Sequence, residues 1–288
     1  MWIRPEYEGC AGVDIGAQTM KVGAVVNGTL NKLAIPTRPV WADARAALVD
    51  AVHTLIGSPR SFGIGSPGPL DWRSGYMNGT PNIPWRGVCY KDLADDLNCE
   101  VAVDNDANVA GLAEALHGAG LYTDASGVQR MHEVVCGFTL GSGIGYFCVV
   151  NGRIFHGRVD VEGGHQILNP EGPECGCGAR GCLEAYCGAT LIQERYRCRL
   201  EQIDDPAFWD TYCYHLGWGI ANVTAIVCPD VFLLCGGVTQ REGILQPIAD
   251  AAARICQIHA VPPIRISAMG VDSGLIGAVL LGTQLLDD

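Results

Sequence analysis

Twice along this chain an apolar strand runs into a glycine turn and a second strand follows at once. Residues 10–16, Cys10-Ala-Gly-Val-Asp14-Ile-Gly16, lead through a turn into an apolar run over 20–27. Residues 134–140 lead through Gly141-Ser142-Gly143-Ile144-Gly145 into another run over 144–150. Two β-rich runs joined by a tight turn predict a hairpin. After each hairpin, strand and helix patterns alternate. Helical spacing is expected over 42–56, 90–97 and 107–116 in the first half, with strands over 62–65 and 101–103. The second half predicts helices over 209–227, 243–258 and 274–286 and a strand over 231–235. The pattern predicts a duplicated α/β core with largely buried sheets. A small lobe is expected over 1–121 and a larger one over 122–288, with the last helix, 274–288, packing back onto the first. The polar stretch 122–132 marks the expected boundary.

Composition removes several function classes. Of 288 residues, 48% are hydrophobic and 17% charged, which is a globular balance and not a disordered one. No apolar run approaches the ~18 residues of a membrane helix, and the first residues lack the basic head and apolar run of a secretory signal. Lys and Arg total 19 against 31 Asp and Glu, a formal net charge of −12. Such a chain repels polyphosphate backbones, so neither nucleic acid nor a membrane is an expected partner. About nine residues precede the first strand, so no DNA-binding helix-turn-helix is expected ahead of it. Fourteen cysteines are many, but a chain this long builds a core without disulfides. Most of them, such as Cys136, Cys148, Cys228 and Cys235, sit in apolar runs as small hydrophobes. A reducing, cytoplasmic setting is expected.

Four motifs carry chemistry. In the first glycine turn, backbone N–H groups around Gly16 and Gln18 can cradle phosphate oxygens, and Asp14 can order Mg²⁺ through water. Taken alone this reads as an ordinary hairpin, since short glycine motifs are common. The second turn, Gly141-Ser142-Gly143-Ile144-Gly145, permits positive φ and close approach by a ligand. It is neither a Walker loop nor a dinucleotide fingerprint, because no Lys-Ser/Thr follows and a strand comes next. Two such turns suit a nucleotide's phosphate tail, and Gly236, between a strand and a helix, lets an adenosine lie against backbone. The third motif is Val103-Asp104-Asn105-Asp106-Ala-Asn108, at a strand's carboxyl end, where α/β folds place ligands. Asp106 is the candidate base for a substrate hydroxyl attacking phosphorus, and Asn105 the candidate hydroxyl anchor. Asp and Asn also cap helices, but three such groups exceed what one cap needs.

The fourth motif is the most specific. Glu162-Gly-Gly-His165 is followed by Cys175, Cys177 and Cys182, with Glu184 two residues on. His165, Cys175, Cys177 and Cys182 make a ligand set for tetrahedral Zn²⁺, structural because no coordination position stays open. A redox role for Cys175-Gly-Cys177 is the competing reading. Held by such a loop, Glu162 and Glu184 could accept hydrogen bonds from vicinal sugar hydroxyls.

Together these residues resemble the ROK family of sugar kinases and sugar-responsive repressors, within the actin-like ATPase superfamily. The resemblance runs nearly end to end. It rests on Asp14-Ile-Gly, Gly65-Ser-Pro-Gly68-Pro, Thr80-Pro-Asn82-Ile-Pro-Trp85, Asn105-Asp106-Ala-Asn108, the second glycine turn, the His and Cys signature with Glu184, and Cys235-Gly-Gly. It implies a two-lobed, ribonuclease H-like fold with a zinc-binding loop over 165–182, and an ATP-dependent kinase acting on the 6-hydroxyl of a hexose, glucose first among them. Fructose, mannose, allose or N-acetylmannosamine are the alternative substrates, and a non-catalytic sugar-binding protein is the alternative function. The implied partners are hexose, ATP with Mg²⁺, and a second copy in a homodimer. Position by position, it implies Asp106 as base. Gly68, Asn82, Asn105, Glu162, His165 and Glu184 would surround the sugar, and Asp14, Gly16, Gln18, Gly141, Ser142, Gly143 and Gly236 would surround Mg·ATP. One departure is clear: the family's first turn reads Asp-Ile-Gly-Gly-Thr-Lys, whereas Ala17-Gln18-Thr19 follow Gly16 here, and the nearest lysine is Lys21.

Overall fold

The computed structural model describes residues 3–80 and 82–286. The chain divides into two compact units: Met1–His117 with His156–Asp160 and Val271–Asp288, and Gly118–Phe155 with Val161–Gly270. In the first unit, β1 (Cys10–Ile15), β2 (Thr19–Val26) and β3 (Thr29–Pro36) form an antiparallel meander. Helix α1 (Trp41–Ile56) leads to β4 (Ser61–Ser66), which lies parallel to β1. A small antiparallel sheet follows, made of β5 (Leu70–Asp71), β6 (Tyr76–Gly79) and β7 (Arg86–Cys89), and then the short helix α2 (Leu93–Leu97). Strand β8 (Glu100–Asn105) pairs parallel with β4, and helix α3 (Asp106–His117) starts at the next residue.

The second unit opens with the hairpin β9 (Leu121–Thr123) and β10 (Gln129–Met131). Strands β11 (Val134–Leu140), β12 (Ile144–Val150) and β13 (Arg153–Ile154) form its antiparallel meander. Helices α4 (Leu183–Cys187), α5 (Ala189–Tyr196) and α6 (Pro206–Ile226) follow. Strand β14 (Val231–Cys235), helix α7 (Leu245–Ile255) and strand β15 (Ile264–Ile266) complete the unit, and α8 (Ser273–Thr283) returns to the first. The two main sheets share one plan. Their orders are β3-β2-β1-β4-β8 and β13-β12-β11-β14-β15, with β4 parallel to β1 and β14 parallel to β11. The duplicated α/β core read from the two glycine turns is therefore a repeat of topology.

The central parallel strands are buried from end to end, Ser61–Ser66 and Val231–Cys235 alike. A parallel sheet covered on both faces demands that. In the first unit α8 lies against the sheet and α3 so closely that glycine is obligatory at the contact. A Cβ on Gly63 would stand 1.8 Å from Ala278 O, and one on Gly277 would stand 1.7 Å from Val109 O. Each unit keeps its own apolar core, around Val13, Ile64, Phe62 and Trp85 in one and Phe138, Leu183, Ile220 and Phe232 in the other.

Two details differ from the sequence expectation. The stretch 122–132 is no linker: Arg265 Nη1 donates to the carbonyls of Ala119 (3.0 Å) and Leu121 (2.8 Å), tying the β9–β10 hairpin into the second unit. The division accordingly falls between 117 and 118, and residues 156–160 leave the second unit for the first. The last helix stops at Thr283 and continues as a 3-10 turn to Leu286; 287 and 288 lie outside the described residues. None of the fourteen cysteines is in a disulfide. Among the described residues no helix is long and apolar enough to cross a membrane.

The end of α3 carries a pH-sensitive contact. His117 Nε2 meets the Tyr7 hydroxyl at 2.8 Å. Burial, helped by the positive charge of Arg4, pushes the imidazole down to about 4, from an ordinary value near 6.5. A histidine depressed in the folded state binds its proton more readily when unfolded, so folding stability falls as pH drops through about 6.5 towards 4. Urea melts at pH 7.5 and pH 5 should show this loss, and His117→Gln should flatten it; an unchanged pH slope in the variant would refute the assignment.

Candidate active site

Parallel pairing brings the first unit's polar residues to one sheet edge. Asp14 of β1 lies in register with Gly65 of β4, and Gly65 with Asp104 of β8. Asp14 and the Asn105–Asp106 corner thus stand two strand spacings apart, about 10 Å. Asn105 and Asp106 are half-buried at the junction of β8 and α3. Asn105 Oδ1 and Asp106 Oδ1 each accept from the Ala107 N–H at 2.8 Å. The capping role considered for this motif is real, and it also fixes both side chains. Gly68 lies in the connection from β4 to β5, and Asn82 is exposed between β6 and β7.

Asp14 is half-buried, and burial pushes its carboxyl up while Lys21 opposes the rise. The β1–β2 hairpin sets Lys21 directly opposite Asp14, with Nζ 3.8 Å from Oδ2. A Cβ on Gly274 would come within 2.8 Å of the Asp14 carboxylate, so α8 closes over it at a glycine. A hard carboxylate of this kind suits a hydrated Mg²⁺.

Both glycine turns are braced through their carbonyls. In the first, Gly16 O accepts from Thr37 Oγ1 (2.7 Å) and Gln18 O from Thr37 N–H (3.0 Å). In the second, Gly141 O accepts from Ala189 N–H (3.1 Å) and Ser142 O from Thr190 N–H (2.9 Å). A trans peptide is planar, with C=O and the next N–H antiparallel. The N–H groups of Ala17 and Thr19 therefore point away from Thr37, and those of Ser142 and Gly143 away from α5. Two pairs of amide donors result, of the kind that binds phosphate. No residue from 16 to 19 has positive φ, so Ala17 in place of the family's glycine costs the turn nothing. Nor do Gly141 and Gly143 use positive φ, contrary to the reason first given for them. Gly143 is needed for space: a Cβ there would stand 2.2 Å from Glu184 Oε2.

Glu184, read from the sequence as a sugar ligand, has its Oε2 on the Ile144 N–H at 2.9 Å and its Oε1 3.9 Å from Cys175 Sγ. It links the cysteine loop to the second glycine turn. Gly236 follows β14 with φ of 103°, its Cβ position 2.2 Å from Leu140 O, so the backbone passes close beside the same turn. Sequence reasoning missed Thr37, Ala189 and Thr190, because bracing through backbone leaves no side-chain pattern. It also missed a cavity of about 400 Å³ lined by Ala189, Gln193, Arg199, Leu200, Glu201 and Gln202.

His165, Cys175, Cys177 and Cys182 place one ligand atom each within 4.8 Å of one another. Cys177 Sγ and Cys182 Sγ are 3.7 Å apart, and Cys175 Sγ is 3.5 Å from His165 Nδ1. Tetrahedral zinc, with its usual bond lengths, requires about 3.75 Å between sulfurs and about 3.55 Å between sulfur and nitrogen. The four residues fit the ion. Burial pushes the Cys182 thiol up to about 12, whereas the Ala179 backbone N–H pulls Cys177 down. A cation would hold both as thiolates. Glu162 caps the 3-10 turn that ends at His165, its carbonyl accepting from His165 N–H at 3.0 Å. Purified protein should contain one zinc per chain, and Cys177→Ser or chelation should lower both the melting temperature and sugar affinity. Carefully purified protein without zinc would contradict the fit.

Residues 10–284 match the model of the ROK family. A glucokinase of Halalkalibacterium halodurans is 30% identical over 320 residues, covering 95% of this chain and 94% of that protein. An N-acetyl-D-glucosamine kinase of Pectobacterium atrosepticum is 30% identical over 316 residues, covering 96% and 99%. The crystal structure of a ROK hexokinase from Thermus thermophilus superposes with a TM-score of 0.83 at 30% identity, over 97% of this chain and 99% of that one. With the duplicated actin-like sheets, the braced glycine turns and the His and Cys loop in place, this chain belongs to the ROK family.

Proposed function

We propose that this protein is an ATP-dependent hexose kinase that phosphorylates the 6-hydroxyl, with glucose as its substrate. The observation that carries the reading is one edge of the first sheet, where Asp14 and Asp104 stand two strands apart in parallel register and Asp106 begins the helix two residues on. One carboxylate suits a magnesium ion on the donor phosphates, and the other suits a base at the acceptor oxygen.

Asp106 accepts the proton of the 6-hydroxyl as that oxygen forms its bond to the γ-phosphorus. The bond from the γ-phosphorus to the bridging oxygen breaks, and ADP carries that oxygen away. Asp106 Oδ1 is pinned by the Ala107 N–H, so the carboxylate meets the hydroxyl in a fixed orientation. Asp14 would hold Mg²⁺ through water, and the ion would supply positive charge against the donor phosphates. The amide pairs beside Gly16, Gln18, Ser142 and Gly143 hold phosphate oxygens, with Gly141 and Gly236 leaving room for the donor. Asn105 anchors the reacting hydroxyl, Gly68 and Asn82 line the acceptor site, and Glu162, His165 and Glu184 hold ring hydroxyls. His165 presents Nε2 to the sugar, since Nδ1 faces the cysteines. The glucokinase relative supports glucose, and the N-acetyl-D-glucosamine kinase relative makes a substituted hexose the competitor.

An ADP-release assay over glucose, mannose, fructose, N-acetylglucosamine and N-acetylmannosamine tests the substrate. Glucose is expected to give the highest kcat/KM, and any other sugar in first place overturns that part. Asp106→Asn should reduce kcat by roughly a thousandfold or more, in the range for general-base loss, and leave sugar binding within severalfold. Near-normal turnover in that variant would remove Asp106 as the base.

A further inference from the structure

Asp104 is 1% exposed and stands two residues before the proposed base, yet it takes no part in the reaction as described. Its Oδ1 accepts from the Asn105 N–H at 2.8 Å and from Asn108 Nδ2 at 2.7 Å. Its Oδ2 meets His156 Nε2 at 2.6 Å. A carboxylate oxygen only accepts, so Nε2 carries the hydrogen. The contact is also direct, because two ligands of one small cation would stand about 3 Å or more apart.

His156 comes from residues 156–160, the segment after β13 that belongs to the first unit. The structure holds this imidazole firmly. Trp72, next to β5, stacks on it with ring centroids 4.0 Å apart and 17° between planes. The Arg73 guanidinium lies 4.3 Å from the Trp72 ring centroid and donates to the carbonyls of Gly157 and Arg158 at 3.3 and 3.1 Å. Asp160 adds a second carboxylate, with ligand-type atoms of all three residues within 4.8 Å of one another. So much ordering around one surface-derived loop goes beyond what a lone buried carboxylate needs for satisfaction.

We propose that His156 is a positioning residue for phosphoryl transfer, acting through Asp104 on the corner that carries Asn105 and Asp106. The inference rests on the reading of Asp106 as base. The Asp104 carboxylate fixes the peptide between residues 104 and 105 and the first turn of α3 by its bonds to Asn105 and Asn108. Those bonds keep their geometry only while Oδ2 has its donor. Without it, a buried carboxylate turns towards another partner or takes up a proton, and the peptide of Asn105 moves with it.

The test compares His156→Phe, which keeps a ring on Trp72 and loses the donor, with His156→Gln, whose amide nitrogen can reach the Nε2 position. His156→Phe is expected to lower kcat roughly tenfold or more, the scale of one hydrogen bond to a charged group. KM for sugar and ATP should stay within about threefold, and His156→Gln should recover most of kcat. Asp104→Asn should lose a similar factor, and the double variant His156→Phe/Asp104→Asn should be no worse than the poorer single. Rates are taken per folded molecule, with melting temperature measured alongside. The proposal is overturned if His156→Phe keeps kcat, if the Gln variant is as poor as the Phe variant, or if the two losses multiply. A change confined to KM for sugar overturns it as well. If His156→Phe does not fold, the comparison of His156→Gln with Asp104→Asn decides, a large loss in the second with none in the first being the supporting result and any other pair of values the overturning one. Full activity in Asp106→Asn would instead retire the base assignment, whatever the His156 variants do.

Discussion

Parallel strand pairing governs this protein. Strands that run in one direction end at one edge, so residues far apart in sequence but last in their strands become neighbours. Asp14, Gly65 and Asp104 share a row of the first sheet, and Thr139 pairs with Cys235 in the second. Each site element follows directly: Asp106 begins the helix after β8, and Gly236 follows β14. A slip of one residue would turn every side chain of a strand to the opposite face. The buried central strands and the glycine contacts of α8 guard against that slip.

A second constraint shapes the two glycine turns. Holding a carbonyl fixes its peptide plane, so the amide donor on the opposite side keeps one direction. Thr37 serves the first turn, and the start of α5 serves the second. Because α4 and α5 follow Cys182, the metal loop and the second turn form one connected piece, with Glu184 between them. Lys21 stands opposite Asp14 in the hairpin register, with its Nζ 3.8 Å from the carboxylate.

Legibility in the sequence varied with exposure and locality. The predicted helix over 42–56 was readable from its apolar spacing, and the strands over 134–140, 144–150 and 231–235 from short apolar runs that are buried almost throughout. Strand β3 was not, since six of its eight residues are exposed or polar at the edge of the sheet, and the pattern then carries no signal. The three short strands between 70 and 89 failed for a related reason: they are two to four residues long and interrupted by turns. In the site, the Cys and His spacing was legible because tetrahedral coordination requires particular residue types close together. The partner of Asp104 was not, because His156 lies 52 residues away and only folding makes them neighbours.

The sequence alone determined the repeated strand–turn–strand plan, the acidic, core-forming composition and the four-residue ligand set, since each depends on local pattern or chemical identity. Tertiary structure decided the register that aligns Asp14 with the Asp106 corner, the bracing of the two turns, the commitment of Glu184 to Ile144 and the approach of His156 to Asp104. Those are distances across the fold, set by how strands pair and helices pack, and a linear order of residues does not contain them.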